Sequence, residues 1–276
     1  MTTVAAQDSM LLGKQRVRVR VRGEGPTLLL LNGLGAPLEL WEPLLPHLAG
    51  VRTVAFDTPG SGGSQTPRLP LSIRGHARLA LSLLTALECP SADVLGLSFG
   101  GMVAQEMAHI APDRVNRLIL ASTSCGWGGV PGSPAALLSV TTPDRYYSRT
   151  IFEQVSPTYI GGREGSDPQF VRSQARARQS APPDPRGYMY QLWAAAAWSS
   201  LYWLPTIAAP TLVVAGESDP LVPPGNAQIL ARLLPRARRH IVEGGGHLCL
   251  LERAGELAPI IEGFLAEAAP TAPEPA

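Results

Sequence analysis

The sequence predicts an α/β protein: a mostly parallel central sheet with helices on both faces and an inserted helical cap. Three observations carry this expectation. Short apolar runs recur along the chain, helical patterns lie between them, and one aromatic-rich segment, 124–205, breaks the alternation. The 276 residues, 45% of them hydrophobic, suffice for one large α/β domain with an insertion or for two small domains.

The elements follow in chain order. In "QRVRVRVRG", Val17, Val19 and Val21 share one face and Arg16, Arg18, Arg20 and Arg22 the other. Strict alternation is the mark of a half-exposed antiparallel strand. Its arginine row reads as a solvated face, with binding of an anion as the other reading. "TLLLL" (27–31), "VRTVAFD" (51–57), "SADVLGL" (91–97), "VNRLILAS" (115–122), "PTLVVAG" (210–216) and "RRHIVEG" (238–244) read as further strands. Residues 72–88 place Ile73, Ala77, Ala80, Leu81, Leu84 and Leu87 at helical spacing, and 99–110, 225–234 and 255–268 read similarly. The core is therefore assigned to 1–123 and 206–270, the cap to 124–205, and a Pro/Ala-rich frayed tail to 271–276. The cap holds all six tyrosines and four of the five tryptophans. A small insertion needs aromatics for its own core. Aromatics above a cleft also line apolar pockets, which makes Trp127, Trp193, Trp198 and Trp203 candidates for contact with substrate.

Composition removes several function classes. A net charge of +1 gives no electrostatic argument for nucleic acid or an anionic membrane. Lys14 is the single lysine, so no lysine nucleophile stands in the body of the chain. Cys89, Cys125 and Cys249 are odd in number, widely spaced and without a C-x-x-C pair, which argues against a disulfide framework or a metal site. A reducing cytoplasm fits this usage. The first ten residues lack a basic stretch followed by an apolar one, so no signal peptide is expected. The apolar runs are too short for a transmembrane segment.

The chemistry begins at "VLGLSFGG", which contains G-x-S-x-G as Gly96, Ser98 and Gly100. The motif follows an apolar strand and opens a helix, the arrangement of a nucleophile elbow. The alternative is an ordinary strand–helix turn with a serine cap. A serine hydroxyl is a weak nucleophile without a base. Of five histidines, only His240 and His247 follow the candidate acids in the order Ser, acid, His. His240 sits within a strand pattern, whereas His247 follows "EGGG" in a loop, so His247 is favoured as base. "GESDPLVPP" offers Glu217 and Asp219 as the acid, and Asp219, where the chain turns at Pro220, is favoured. Oxyanion donors are expected from the backbone N–H of Phe99 and of Leu34, the latter in "LNGLG", where Gly33 and Gly35 let the chain turn. A plain glycine turn is the alternative for that loop. "FDTPGSGGSQTP" lacks the lysine of a phosphate loop and reads as a structural turn in which Asp57 bonds loop amides and stays ionised.

Over residues 12–268 the chain resembles the α/β-hydrolases. "LNGLGAPLELW", "VAFDTPGSGGSQTPR", "GLSFGGMVAQEMAH", "PTLVVAGESDPLVP" and "GGGHLCL", with the cap pieces "VPGSP", "SPTYIGG" and "YMYQLWAAAAWSSLYWL", look like intracellular medium-chain-length poly(3-hydroxyalkanoate) depolymerases. Many relatives in the broader fold carry His where this chain has Asn32. The resemblance implies hydrolysis of ester bonds in a hydrophobic polyester stored in cytoplasmic granules, with Ser98, Asp219 and His247 as catalytic residues and no cofactor. A general carboxylesterase or lactonase acting on small soluble esters would carry the same triad. So would a hydrolase of C–C or amide bonds, and a ligand-binding protein that merely retains it. Turnover of polymer against soluble esters, a substrate panel and covalent labelling of Ser98 separate these readings.

Overall fold

The computed structural model describes residues 6–267, so the expected tail at 271–276 lies outside the described residues. Eight strands form one sheet: β1 (Ala6–Leu12), β2 (Gln15–Arg22), β3 (Thr27–Leu31), β4 (Arg52–Phe56), β5 (Ala92–Leu97), β6 (Val115–Ala121), β7 (Thr211–Gly216) and β8 (Ala237–Val242). Their order is β1-β2-β4-β3-β5-β6-β7-β8. β1–β2 and β2–β4 pair antiparallel, and all pairs from β4 to β8 are parallel. The helices are α1 (Ile73–Ala86), α2 (Phe99–Ile110), α3 (Pro134–Ser139), α4 (Asp144–Tyr147), α5 (Arg149–Tyr159), α6 (Pro168–Ser180), α7 (Pro185–Ala196), α8 (Gly225–Leu233), α9 (Cys249–Glu252) and α10 (Ala254–Ala266).

The central strands read as unbroken apolar runs because both of their faces are covered. Leu29, Leu31, Val94, Leu118, Leu120 and Val213 point to one core, filled by Ile73, Ala77 and Leu84 of α1, Val103 and Met107 of α2, and Leu230 of α8. Leu28, Leu30, Leu95, Leu97, Ile119 and Val214 point to the other, filled by Leu257, Ile261 and Phe264 of α10 and by Trp41. Each such side chain contributes about 1.5–3 kcal/mol by leaving water. Ser72 caps α1 by accepting from the Gly75 amide, which fixes where that helix starts.

The segment before β2 carries a strand: β1 pairs with β2 from Ala6↔Val21 to Leu12↔Gln15. The arginine face of β2 is solvated only in part: Arg16 is exposed, whereas Arg18, Arg20 and Arg22 meet carboxylates. Arg18 reaches Glu39 at 2.8 Å and Asp57 at 2.5 Å, Arg20 pairs with Glu39 at 3.1 Å and with Glu42, and Arg22 pairs with Glu42 at 3.2 Å. The short 3-10 turn at Leu38–Trp41 lays Glu39 and Glu42 across the strand. Such a network offsets the desolvation of its partly buried cations.

α3 to α7 all lie between β6 and β7.

Candidate active site

Ser98 stands between β5 and α2 with φ 54° and ψ −114°. That is left-handed backbone, strained for a residue with a Cβ. The surroundings hold it there: the Ser98 N–H donates to the Ala121 carbonyl at 2.8 Å, and the Thr123 hydroxyl donates to the Ser98 carbonyl at 2.8 Å. The motif glycines are required by contact. A Cβ on Gly96 would overlap the Gly100 carbonyl, and one on Gly100 would overlap the Leu31 carbonyl. The turn therefore tolerates nothing larger at either position.

His247 comes from the loop after β8, and Asp219 from the loop after β7. His247 Nε2 lies 3.1 Å from Ser98 Oγ, and its Nδ1 lies 2.8 Å from Asp219 Oδ2. With Nδ1 protonated toward the carboxylate, Nε2 is left as an acceptor for the serine proton. Asp219 is aimed by its own turn, since Oδ1 accepts from the Leu221 and Val222 amides at 2.9 and 2.8 Å. The His247 backbone N–H donates to the Ile160 carbonyl at 2.6 Å, tying the loop to the end of α5. Both His247 and Asp219 are buried. Glu217 stays exposed and accepts from the Gly244 amide at 2.9 Å, and His240 pairs with Val214 within the sheet. Neither approaches Ser98.

The loop after β3 carries the second amide. Among the described residues, neither the Leu34 nor the Phe99 N–H donates to another group, so both are free for an oxyanion. Gly35 has φ +70°, and a side chain there would also strike Tyr188. Asn32 is buried, and its Nδ2 donates to the Ala36 carbonyl at 3.1 Å, closing the loop on itself. Four further contacts come from the segment between β6 and β7. The Tyr146 hydroxyl donates to the Leu34 carbonyl at 2.5 Å, and the Gly35 N–H donates to Gln191 Oε1 at 2.9 Å. Gln191 Nε2 in turn donates to the Pro59 carbonyl at 3.0 Å and to the Ser61 hydroxyl at 2.8 Å. Sequence reasoning missed Tyr146 and Gln191. They lie more than a hundred residues from the loop they hold, and no local motif marks them. Behind Phe99, His76 packs its ring edge-on at 5.4 Å, and burial lowers its pKa to about 4.

The turn after β4 behaves as expected in its contacts. Asp57 accepts from the Leu38 and Gly63 amides, each at 2.7 Å, and from Arg18. Burial pushes the Asp57 carboxyl above its ordinary value, outweighing the opposing pull of Arg18 and the two amides.

Two cavities meet at Ser98. One, of about 580 Å³, is an apolar cleft lined by Phe99, Met102, Trp127, Val130, Leu192 and Val222 among others. The second, of about 70 Å³, runs beside His247 and is lined by Tyr146, Tyr159, Arg145 and Arg178. Of the four tryptophans expected at the substrate, only Trp127 lines the cleft. Trp198 is buried and donates from Nε1 to Glu106 at 2.9 Å, anchoring the segment to α2. Trp203 stacks on His109 at 4.3 Å, and Trp193 packs beside Tyr190 with 54% of its surface exposed. Burying indole against the core was the stronger demand on Trp198 and Trp203.

A family model described as alpha/beta hydrolase fold matches residues 26–254. A curated poly(3-hydroxyalkanoate) depolymerase of Ectopseudomonas oleovorans is 41% identical over 258 residues, covering 92% of this chain and 90% of its own. The 3-oxoadipate enol-lactonase 2 of Acinetobacter baylyi is 26% identical, covering 88% of this chain and 90% of its own. Among solved structures, the meta-cleavage product hydrolase of Pseudomonas fluorescens superposes with a TM-score of 0.80 at 22% identity, over 94% of this chain and 97% of that one, which speaks to the fold.

Proposed function

The chain belongs to the α/β-hydrolase family, and from that premise we propose that it is a serine ester hydrolase acting on medium-chain poly(3-hydroxyalkanoate). The carrying observation is the hydrogen-bonded row Asp219–His247–Ser98, beside two free amides at the mouth of a large apolar cleft. Ser98 Oγ attacks the ester carbonyl while its proton passes to His247 Nε2. Leu34 and Phe99 amides hold the oxyanion. Asp219 stabilises the imidazolium, which then protonates the departing alcohol oxygen. Water enters, gives its proton to His247 and releases the acid from Ser98 by the reverse route.

Residues 124–205 act as the cap in this reading. Trp127, Leu137 and Val140 from that segment line the cleft, where alkyl side chains of the polymer would lie. The same segment exposes Trp127 (73%), Leu138 (72%) and Tyr202 (90%), an apolar surface suited to a granule. Granule association in the cytoplasm is part of this reading, which that surface and the likeness to the depolymerase support. Among the described residues no helix is long and apolar enough to cross a membrane.

The test is release of 3-hydroxy acids from medium-chain granules by the intact protein, with p-nitrophenyl octanoate as a soluble ester. Ser98→Ala should abolish both while leaving the circular dichroism unchanged. Soluble-ester turnover with no release from granules would favour a small-ester esterase or lactonase. Full turnover by Ser98→Ala would refute the triad.

A further inference from the structure

Among the described residues, two arginines beside the reacting serine have no acidic partner. Arg145 of α4 and Arg178 of α6 are 4% and 3% exposed, and both line the smaller cavity with Ser98 and His247. Among the described residues neither forms an ion pair with a carboxylate, in contrast to the buried Arg20, which has Glu39 and Glu42, and to Arg117, which has Asp93. Leaving a cation out of water without a counter-charge is costly. Their present partners are neutral. Arg145 Nη1 donates to the Thr142 carbonyl at 3.0 Å, and Arg178 Nη1 donates to Gln174 Oε1 at 2.7 Å. The Arg145 guanidinium lies 4.9 Å from the Tyr146 ring centre and 5.3 Å from that of Tyr188, and Arg178 lies 4.9 Å from that of Phe152. Aromatic faces attract a cation but do not neutralise it. Burial raises the Tyr159 phenol and pushes that of Tyr188 up to about 12, so neither supplies negative charge at neutral pH. Nε of both arginines is buried without an acceptor.

We propose that Arg145 and Arg178 form a carboxylate subsite that receives the free carboxyl end of a hydroxyalkanoate ester chain, so that cleavage runs from that end. The substrate class rests on the function proposed above. In such a polyester the terminal carboxylate lies only a few bonds beyond the last ester carbonyl. A chain crossing Ser98 can thus place its alkyl-bearing body in the apolar cleft and its charged end in the second cavity. His247 lines that second cavity, on the side where the leaving alcohol needs its proton. The bond between the acyl carbon and the terminal unit's oxygen breaks. That oxygen takes the proton from His247, and one 3-hydroxy acid departs as product. Planar guanidinium suits a carboxylate better than ammonium does.

The first arm is inhibition of p-nitrophenyl octanoate turnover by (R)-3-hydroxyoctanoate and by its methyl ester. The acid should bind about tenfold to a hundredfold more tightly, the range for charge-assisted bonds. Arg178→Gln should bring the ratio near one, and Arg178→Lys should keep part of it. The second arm is a hydroxyoctanoate trimer as free acid or methyl ester: the free acid should be cut at least about tenfold faster, with monomer as the first product. Equal inhibition by acid and ester in the unaltered protein overturns the subsite, whether or not granules are degraded. Internal cuts appearing as fast as terminal ones overturn cleavage from the end. An intact acid preference with no release from granules leaves the subsite standing and overturns the polymer reading instead.

Discussion

Acid should weaken this protein through a residue outside the triad. His76, on α1, is buried, contacts Phe99 edge-on, and has no hydrogen-bond partner at either ring nitrogen among the described residues. Burial alone lowers its pKa from 6.5 to about 4. The sign follows from proton counting. Below pH 6.5 the unfolded chain takes up a proton that the folded chain refuses until about pH 4. Stability is therefore complete above pH 6.5 and falls as pH drops from there toward 4. At about 1.4 kcal/mol per pH unit, the gap amounts to roughly 3 kcal/mol. That is a large share of the ~5–15 kcal/mol by which domains are stable. Urea unfolding at pH 7.5 and pH 4.5 measures it, with His76→Leu as the comparison. The variant should lose roughly 2–3 kcal/mol less than the unaltered protein between the two conditions. Carboxyls such as Asp57 and Asp93, which burial pushes up, titrate in both proteins and cancel in the difference. Equal losses in the two proteins, or a His76 NMR titration centred near its ordinary value, would refute the reasoning.

Other changes test other contacts. Asp219→Asn should keep the fold but lower kcat by about 10³–10⁴-fold on p-nitrophenyl octanoate, because the amide stabilises the wrong imidazole tautomer. Gly100→Ala would drive a methyl group into the Leu31 carbonyl, and should cost at least about 1–3 kcal/mol in urea unfolding. Asn32→Ala removes the bond to the Ala36 carbonyl and should cost about 1 kcal/mol of stability. Because the Leu34 amide sits on that loop, kcat should fall with KM little changed, which steady-state kinetics reads directly.

Much of the site was legible because its demands are local. The elbow needs small residues around Ser98, the strand order places Asp219 and His247 at loops beyond their strands, and the Asn32 loop carries glycine where φ turns positive. These are short-range steric facts written in neighbouring letters. The strand β1 was not legible, because "AQDSMLL" alternates too poorly to announce itself and is fixed by its pairing with β2. The fate of the arginine row depended on Glu39 and Glu42, which follow after another strand has intervened. Trp198 and Trp203 were read as pocket aromatics because composition cannot say which way an indole faces. Tyr146, Gln191, Arg145 and Arg178 escaped for a related reason: each is an ordinary residue on an insertion helix until the tertiary fold brings it to the core.

The bonds from Tyr146 and Gln191 to the Leu34–Gly35 loop carry a consequence for how such proteins can be altered. Under the function proposed above, the segment that lines the substrate cleft also braces the amide that would hold the oxyanion. Specificity and rate would then not be separable modules in this chain. Grafting a foreign insertion between β6 and β7 would change what enters and, unless the graft returned a hydroxyl and a carboxamide to the same two places, would also leave the reaction without its rigid electrostatic support. Divergence toward new esters must proceed around those two positions while they stay fixed.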